Sequence, residues 1–352
     1  MDLSDSASQK RGLLERLSEG PVICAEGYLF EFERRGYLQA GAFVPEVVLE
    51  HPDLVAELHR EFVHAGSDVV EAFTYYAHRE KMRLIGKEHL LETINRQALE
   101  IARGVAGESG ALFAGDICNT NVFVGDETSR KAVRGMFEEQ VGWAVEAGVD
   151  YIIGETFSWA EEALIALDVI KQTGLPAVIT LAIHQDPETR EGWTVPDACK
   201  RLEDAGADVV GLNCIRGPRT MLPLLREIRA AVKGQMAALP VPYRTHAAEP
   251  TFQSLRDPEG GDLPGGRPFP TALDPFVCNR YEIARFGQEA HALGINYLGV
   301  CCGAGPHHIR SLAEALGRTP PASRYSADMS KHAFLGTDPT LKKEYQEYAS
   351  HL

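Results

Sequence analysis

Short apolar runs alternate along the chain with longer segments in which apolar residues recur at helical spacing. The runs are rich in Val, Ile, Leu and Ala, and most lack polar alternation, which is typical of strands buried on both faces of a parallel sheet. Eight runs predict eight strands. They lie at residues 22–27 (VICAEG), 69–74 (VVEAFT), 111–116 (ALFAGD), 151–156 (YIIGET), 177–182 (AVITLA), 209–214 (VVGLNC), 241–245 (VPYRT) and 297–302 (YLGVCC).

Each run is followed by a segment with apolar residues at i, i+3, i+4 and i+7, which predicts an amphipathic helix. These segments lie at residues 53–65, 88–105, 130–147, 160–173, 196–205, 221–232, 281–293 and 307–316. Many of them end just before a glycine, which commonly caps the C-terminus of a helix. The predicted capping residues are Gly66, Gly148, Gly174, Gly206 and Gly294.

Eight strand–helix units in series predict an α/β fold, a single (β/α)8 TIM barrel with a C-terminal extension. The doubly wound sheet is the competing fold. The absence of a G-x-G-x-x-G turn after the first strand disfavours it. We expect the barrel to span residues 1–318. The tail, residues 319–352, is expected either to contact a partner subunit in a homodimer or higher homo-oligomer, or to be partly disordered.

A Gly- and Pro-rich stretch, residues 246–276, interrupts the repeat after the seventh predicted strand. Loops that follow the strands of a barrel lie on its active-site face. Long loops on that face often cover the site. We therefore predict that this insert acts as a lid.

Composition narrows the range of functions. The 352 residues include 35 Lys and Arg against 50 Asp and Glu, and this formal net charge of −15 argues against nucleic-acid binding. No segment approaches the roughly 20 apolar residues that span a bilayer, and the polar N-terminus lacks the apolar core of a signal peptide. We therefore expect a cytoplasmic location, where clustered cysteines are typically metal ligands or catalysts.

Three of the seven cysteines fall at predicted strand ends: Cys214 in GLNC, and Cys301 and Cys302 in GVCCG. Because barrel active sites form at the C-terminal ends of strands, three thiolates there predict a catalytic zinc site with one open position. A strained redox disulfide between the adjacent cysteines is the alternative. The other cysteines are interpreted as buried small apolar side chains, namely Cys24, Cys118, Cys199 and Cys278.

The motifs GLNC and GVCCGAGPHHIRSLAEAL resemble the zinc signature of the homocysteine S-methyltransferase family, and its betaine-dependent branch is the nearest match. The likeness includes LLERLSEGPVI, RRGYLQAGAFVPEVVLEHPDLVAELHREFVHAGSDVVEAFTYYA and INRQALEIARGVA, and it resumes at PPAS and DMS near residues 320–330. The resemblance implies a (β/α)8 barrel with one Zn²⁺ on Cys214, Cys301 and Cys302. It also implies methyl transfer from glycine betaine or a similar onium donor to homocysteine, giving methionine.

The resemblance further implies substrate contacts. Glu155 matches the family's strand-four glutamate, which holds the amino group of homocysteine. Phe43 and Tyr76 match an aromatic cage around the donor cation, with Phe43 at the position of a tryptophan; core packing is the alternative for both. Glu155 and Tyr76 are the predicted catalytic residues. The predicted substrate-binding residues are Glu26, Gly27, Phe43, Tyr76, Glu155 and Thr156.

On the acceptor side the chain departs from the family pattern in its first strand. The strand normally ends D-G-G, whereas Ala25 stands at the aspartate position here. A local twist would let Glu26 replace that aspartate. Without the twist, amino-group recognition rests on Glu155, and the acceptor thiol would differ. His307 is predicted to occupy the fourth zinc position when substrate is absent, with a surface or helix-capping histidine as the alternative.

On the donor side the departures are larger. Thr156 replaces a cage tyrosine, so one aromatic wall is lost unless Phe157 or Trp159 turns inward. Ser330 stands at the position of a carboxylate-binding histidine, with Lys331 and His332 adjacent. Two alternatives therefore stay open. One keeps the zinc chemistry with a sulfonium donor such as S-methylmethionine or dimethylsulfoniopropionate, and the other is a catalytically decayed zinc- or thiol-binding relative.

Overall fold

The computed structural model describes residues 11–259 and 263–351, and a closed barrel of parallel strands lies at its centre. Strands adjacent in the barrel are adjacent in sequence, and β1 pairs with β8 to close it. The predicted (β/α)8 barrel is therefore confirmed. The strands are β1 (Val22–Ala25), β2 (Val69–Glu71), β3 (Leu112–Cys118), β4 (Tyr151–Phe157), β5 (Ala177–Leu181), β6 (Val209–Asn213), β7 (Gln235–Leu239) and β8 (Tyr297–Val300).

Helices surround the barrel. Those on its outside begin at side-chain caps in several cases: Asp126, Thr194 and Asn279 each accept a hydrogen bond from a backbone N–H of the first turn that follows. The helices are α1 (Leu13–Glu19), α2 (Tyr28–Arg34), α3 (Val47–Glu50), α4 (Pro52–Ala65), α5 (Arg79–Leu84), α6 (Leu91–Ser109), α7 (Glu127–Ala147), α8 (Ala160–Gln172), α9 (Val195–Asp204), α10 (Pro218–Ala231), α11 (Arg280–Ala292), α12 (Pro306–Ala315) and α13 (Lys343–Tyr348).

The helix ends agree with the predicted glycine caps. Gly66 after α4 and Gly148 after α7 have φ values of 116° and 79°, in the left-handed region that ends a helix. In the part of the chain that the structure describes, no helix combines the length and apolar character needed to cross a membrane.

Alternate residues of each strand divide the core in two. One set fills the barrel interior, where the hydroxyl oxygens of Tyr151 and Tyr297 lie 2.9 Å apart. The other set packs outward against the helices. The apolar interior residues, which lie below the mouth of the barrel, include Val22, Cys24, Val69, Leu112, Ala114, Ile153, Val178, Val209, Ala237 and Leu239.

The prediction of the seventh strand at residues 241–245 is wrong, because β7 lies at Gln235–Leu239. The true strand, QMAAL, is rich in alanine, which has weak strand propensity, and it follows α10 almost directly. Pro240 immediately precedes the predicted run and Pro242 is its second residue, and proline cannot donate to a ladder. Residues 241–245 instead lie beyond the strand, where the buried Tyr243 hydroxyl accepts a hydrogen bond from Arg34 Nη2 at 2.8 Å.

The tail begins against the outside of the barrel. The guanidinium of Arg318 pairs with Asp68, which lies just before β2. Beyond it are two short 3-10 turns, Pro321–Tyr325 and Met329–Lys331, and then α13. The division into a barrel at residues 1–318 and a tail at residues 319–352 stays a prediction, as does a subunit contact through the tail. Residues 1–10 of the predicted barrel lie outside the described residues.

Candidate active site

Three thiol groups converge at the mouth of the barrel. Cys214 follows the last residue of β6, and Cys301 and Cys302 follow the last residue of β8. Their sulfur atoms all lie within 4.8 Å of one another, and those of Cys301 and Cys302 are 3.8 Å apart. All three side chains are buried. The structure thus brings the three predicted ligands together as a group that could hold a metal ion.

Close packing fixes the backbone around the paired cysteines. Gly303 has a φ of 94°, and a Cβ added there would lie 2.2 Å from the hydroxyl oxygen of Tyr243. Gly27 is equally constrained, because an added Cβ would lie 2.2 Å from the carbonyl oxygen of Ala304. Only glycine fits at either position. Gly27 therefore lets the end of β1 approach the loop that carries the cysteines; its predicted contact with substrate stays a prediction.

The pKa values of the three thiols shift in opposite directions. Hydrogen bonds from Cys301 and Cys302 lower the pKa of Cys214 well below its usual range. Burial raises the pKa of Cys301, and the hydrogen bond with Cys214 raises that of Cys302. Three buried cysteine sulfur atoms form a soft donor set that suits zinc, and three protein ligands leave one position for a substrate.

Two carboxyl groups lie beside the thiols. One oxygen each of Glu26 and Glu155 lies within 4.8 Å of the other and of Cys301 Sγ. The amide nitrogen of Asn213 donates to Glu155 Oε2 and, at 3.4 Å, to Glu26 Oε2. The Thr156 hydroxyl donates to Glu155 Oε2 at 2.9 Å. The predicted amino-group residues therefore occupy one cluster with the thiols.

Glu26 faces the barrel interior without the twist that the sequence was expected to require. Cys24 belongs to the interior set, and Glu26, two residues further along, points the same way, whereas Ala25 packs outward. No local twist is therefore needed for the Glu26 side chain to face this cluster. The carboxylate at position 26 is the one that reaches the site.

Two further acids inside the barrel were missed by sequence reasoning. Glu71 ends β2 and Asp116 lies in β3, and an oxygen of each lies within 4.8 Å of one on Glu155. Both are at least 95% buried, as is Glu26. Burial first, then the mutual repulsion of these carboxylates, raises the pKa of each. The detectable signal was an acidic residue within an otherwise apolar strand.

A cavity of about 300 Å³ opens outward from Cys214 and Cys302. Phe43 and Tyr76, the predicted cage residues, both line it. Trp159 also lines it and so supplies an aromatic wall near the lost tyrosine, whereas Phe157 packs against Phe137 in the outer core at a centroid distance of 5.9 Å. The remaining aromatic residues of the wall are Phe30, Tyr75, Phe123, Phe252 and Phe269.

Backbone strain concentrates in this cavity. The non-glycine residues with left-handed φ in the described ranges are Phe43, Tyr76, Asn121, Thr156, Cys214 and Ile215, with values between 53° and 63°. Every one of them lines the cavity. Such conformations are costly, most of all for β-branched residues, and persist where the surrounding structure enforces them. Their clustering marks this cavity as the functional part of the barrel mouth.

The insert after β7 contributes to the wall of the cavity through Phe252, Gln253 and Phe269. Its position on the active-site face agrees with the sequence, whereas its role as a lid stays a prediction. Residues 260–262 of the insert lie outside the described residues.

Two predicted groups lie apart from the site. His307 is exposed, its ring centroid lies 3.9 Å from that of His308 with the ring planes tilted by 40°, and it is absent from the group formed by the three thiols. The Ser330 hydroxyl donates to Asp328 Oδ1 at 2.6 Å within the tail and does not line the cavity. Neither side chain joins the three thiols or lines the cavity in this structure, and a role for His307 as a temporary zinc ligand stays a prediction.

Comparison with known proteins identifies the family. Residues 27–316 match the family model described as homocysteine S-methyltransferase. The chain belongs to the homocysteine S-methyltransferase family. This confirms the resemblance read from the cysteine motifs, and the matched range contains the three cysteines, Glu155 and the aromatic residues of the cavity.

The names of two relatives within the family include different methyl donors, betaine and S-methylmethionine. The chain is 36% identical to betaine–homocysteine S-methyltransferase 1 of Xenopus tropicalis, over 95% of this chain and 83% of that protein. It is 35% identical to the S-methylmethionine–homocysteine S-methyltransferase of Mus musculus, over 97% of this chain and 93% of that protein. The metallated form of the Escherichia coli homocysteine methyltransferase MmuM has the same fold, with a TM-score of 0.64 at 18% identity over 84% of this chain and 97% of that one.

Proposed function

We propose that the protein is a zinc-dependent thiol S-methyltransferase that transfers a methyl group from glycine betaine, or a similar onium donor, to homocysteine to give methionine. The convergence of Cys214, Cys301 and Cys302 beside two carboxylates carries this proposal. Membership of the homocysteine S-methyltransferase family supports the reaction type.

The three cysteines would hold zinc, with the fourth position left to the substrate. A free thiol with a pKa of about 8.5 is mostly protonated at neutral pH. When bound, zinc keeps the substrate sulfur as a thiolate. Three convergent sulfur ligands, with the pKa of Cys214 lowered by hydrogen bonds from the other two, suit that ion.

Glu26 and Glu155 would hold the ammonium group of homocysteine. The two carboxyl groups are buried together with no basic side chain paired to either among the described residues, so an ammonium between them would offset their repulsion. Asn213 and Thr156 hold Glu155 in place by hydrogen bonds to Oε2. This arrangement orients the substrate sulfur toward the cysteines.

The donor would lie in the aromatic cavity. The thiolate sulfur attacks the methyl carbon, so a sulfur–carbon bond forms while the carbon–nitrogen or carbon–sulfur bond of the onium breaks. The electron pair leaves with the neutral amine or sulfide, and no general acid is required. Aromatic faces of Phe43, Tyr76 and Trp159 would stabilise the donor cation and exclude water.

A sulfonium donor, S-methylmethionine or dimethylsulfoniopropionate, is the second candidate. It is supported by the 35% identity to the S-methylmethionine–homocysteine S-methyltransferase of Mus musculus. The missing tyrosine at Thr156 and the missing histidine at Ser330 also weaken the case for betaine specifically.

A direct assay separates these readings. The purified protein is analysed for metal by plasma emission and incubated with homocysteine and each donor, and methionine is measured by chromatography. We expect about one zinc per chain and methionine from at least one donor. Bound zinc without methionine from any donor would favour the decayed relative, and the absence of bound metal would refute the zinc assignment.

We further propose a cytoplasmic homodimer. The tail at residues 319–352 would provide the subunit contact, since it carries exposed aromatic residues including Tyr325, Tyr345 and Tyr348. Light scattering on the full chain and on a chain ending at residue 318 measures the mass. A monomeric full-length protein would contradict this part of the proposal.

A further inference from the structure

Arg190 lies at the solvent-facing rim of the cavity. Its side chain is exposed and yet lines the cavity wall. The guanidinium carbon lies 5.7 Å from the ring centroid of Trp159, which lines the same wall. The backbone N–H of Arg190 donates to the carbonyl oxygen of Ser158 at 2.9 Å. Arg190 is therefore held against the end of β4, the strand that carries Glu155 and Thr156.

The loop that carries Arg190 is well supported. Glu188 and Thr194 form an antiparallel bridge, and the N–H of Thr189 donates to the carbonyl oxygen of Trp193 at 2.9 Å. The guanidinium of Arg216 donates to three carbonyl groups in the preceding segment, residues 183–185. A side chain presented by a rigid loop can bind a ligand without a large ordering cost.

The charge of Arg190 has no carboxylate partner. Within residues 11–259 and 263–351, no Asp or Glu oxygen lies within 4.0 Å of its guanidinium nitrogens, whereas Arg244 pairs with Glu282 at 2.8 Å. Glu162 lines the same cavity, but its Oε1 already accepts from the backbone N–H and the hydroxyl of Thr120, at 2.8 and 2.6 Å. Arg190 therefore offers an unpaired guanidinium to whatever occupies the cavity.

We propose that Arg190 binds the carboxylate of the methyl donor. This inference rests on the proposed function, because it names a partner for the donor in the same site. The cavity has thiol groups at its inner end and a guanidinium at its rim. A small zwitterionic donor would therefore align with its cationic methyl group toward the thiols and its carboxylate outward. The planar guanidinium can bind a carboxylate through two parallel hydrogen bonds.

This assignment also accounts for the position of Ser330. The family's carboxylate-binding histidine is missing from the tail, and the tail residues around Ser330 do not reach the cavity. Arg190 supplies the same charge complementarity from a different element, the loop after β5. His184, whose Nε2 lies 2.9 Å from Ser158 Oγ, is another polar group of the cavity wall.

The test is an Arg190→Gln variant. Glycine betaine, or whichever carboxylate-bearing donor the wild type uses, should show a KM raised about 10- to 100-fold, since a hydrogen-bonded charge pair is removed. The homocysteine KM should not move. Calorimetry provides a readout that needs no turnover: binding of glycine betaine should weaken by a similar factor, while binding of tetramethylammonium, which lacks a carboxylate, should keep its affinity. Arg190→Lys should restore part of the loss.

Arg201→Gln is the matched control, because Arg201 also lies over a tryptophan, Trp193, at 4.4 Å but lies on α9 and does not line the cavity. Its kinetics should equal those of the wild type. An unchanged betaine KM and affinity in Arg190→Gln would overturn the inference, and so would an equal loss for tetramethylammonium. A wild type that makes no methionine but binds betaine through Arg190 would refute the reaction and leave this subsite standing.

Discussion

The two sides of the site are built differently. On the acceptor side, Glu26, Glu155 and Asn213 lie within or beside strands and are buried, and the Asn213 amide donates to a carboxyl oxygen of each glutamate. On the donor side, a cavity of about 300 Å³ is lined mostly by loop residues from several connections. Strand ends are positioned by the barrel itself, whereas loops vary freely. In the proposed function, the barrel would therefore position the groups that activate the thiol, and the loops would set the choice of donor.

The largest expected effect is the loss of the metal. Replacing Cys214, Cys301 or Cys302 by alanine removes one of three thiolates, and we expect metal affinity to fall by more than about 100-fold, since even residues behind a ligand contribute 10- to 100-fold. Methyl transfer should be lost with the metal. Plasma emission of the dialysed variants, together with the methionine assay, measures both quantities.

Cys199→Ala is the matched control for the metal prediction. Cys199 is equally buried, but it lies in α9 and belongs to no group of ligand atoms among the described residues. It should retain the wild-type metal content and activity. A variant of any of the three predicted ligands that keeps its full metal content would remove that residue from the ligand set.

The next effect separates the two sides directly. Glu155→Gln keeps the shape of the side chain but removes the charge that would pair with the homocysteine ammonium. We expect the homocysteine KM to rise by about 30-fold or more, since removing one charge of a buried pair leaves the other charge unpaired and costs about 2–5 kcal/mol. The donor KM and the metal content should stay within about two-fold, a change of roughly 0.4 kcal/mol.

Glu138→Gln, on the exposed face of α7, controls for a general loss of negative charge. It should leave both KM values unchanged. If Glu155→Gln raised the donor KM as much as the homocysteine KM, the division of the site into an acceptor and a donor side would fail.

A stability prediction concerns the acid beneath the acceptor side. Burial, and then repulsion by Glu26, raises the pKa of Asp116 in the folded protein. The stabilisation that this proton contributes to the folded state is therefore fully present below the unfolded-state pKa of about 3.9. It is lost as pH rises through the higher pKa of the folded state. Asp116→Asn cannot ionise and can donate to a neighbouring carboxylate. We expect the metal-free variant to be about 1–3 kcal/mol more stable than the wild type at pH 8.

Urea unfolding in the presence of a chelator measures this difference. The gain should shrink as pH falls toward 5, because the carboxyl of the folded wild type becomes protonated, whereas that of the unfolded chain stays mostly ionised until pH approaches its pKa of about 3.9. Asp204→Asn, at the exposed end of α9, should show no comparable gain. Equal stability of Asp116→Asn and wild type across this pH range would contradict the proposed crowding of acids.

The sequence predicted the architecture and the three cysteines because both depend on strong local patterns. Buried parallel strands are continuous apolar runs, and strand ends define the barrel mouth. The same logic failed for β7, where the alanine-rich run Gln235–Leu239 resembles the helix before it. The side-chain directions of Ala25 and Glu26 could not be predicted in this way either, since the inward side of a four-residue strand depends on register with β8.

Residues whose importance depends on distant neighbours could not be predicted in the same way. Asn213 joins Glu155, Thr156 and Glu26, which come from β4 and the end of β1, so its role exists only after the barrel closes. Arg190 is an ordinary loop arginine until the fold places it beside Trp159. If donor recognition depends on contacts of this kind, as proposed, the donor is harder to predict from sequence than the metal ligands.

The smallest effect tests the donor side alone. Thr156→Tyr would restore an aromatic wall at a position with φ of 61°, where a β-branched residue is strained and tyrosine is less so. If the donor cation lies against this wall, the betaine KM should fall by about 2- to 30-fold, as a cation–π contact contributes 0.5–2 kcal/mol. Thr156→Val, which removes the hydroxyl that donates to Glu155 without adding a ring, is the control and should affect the homocysteine KM instead. An unchanged betaine KM in Thr156→Tyr would mean that Trp159 already completes the cage. In that case the loops after β4 and β5 would supply both the missing aromatic wall, through Trp159, and the missing anion-binding group, through Arg190.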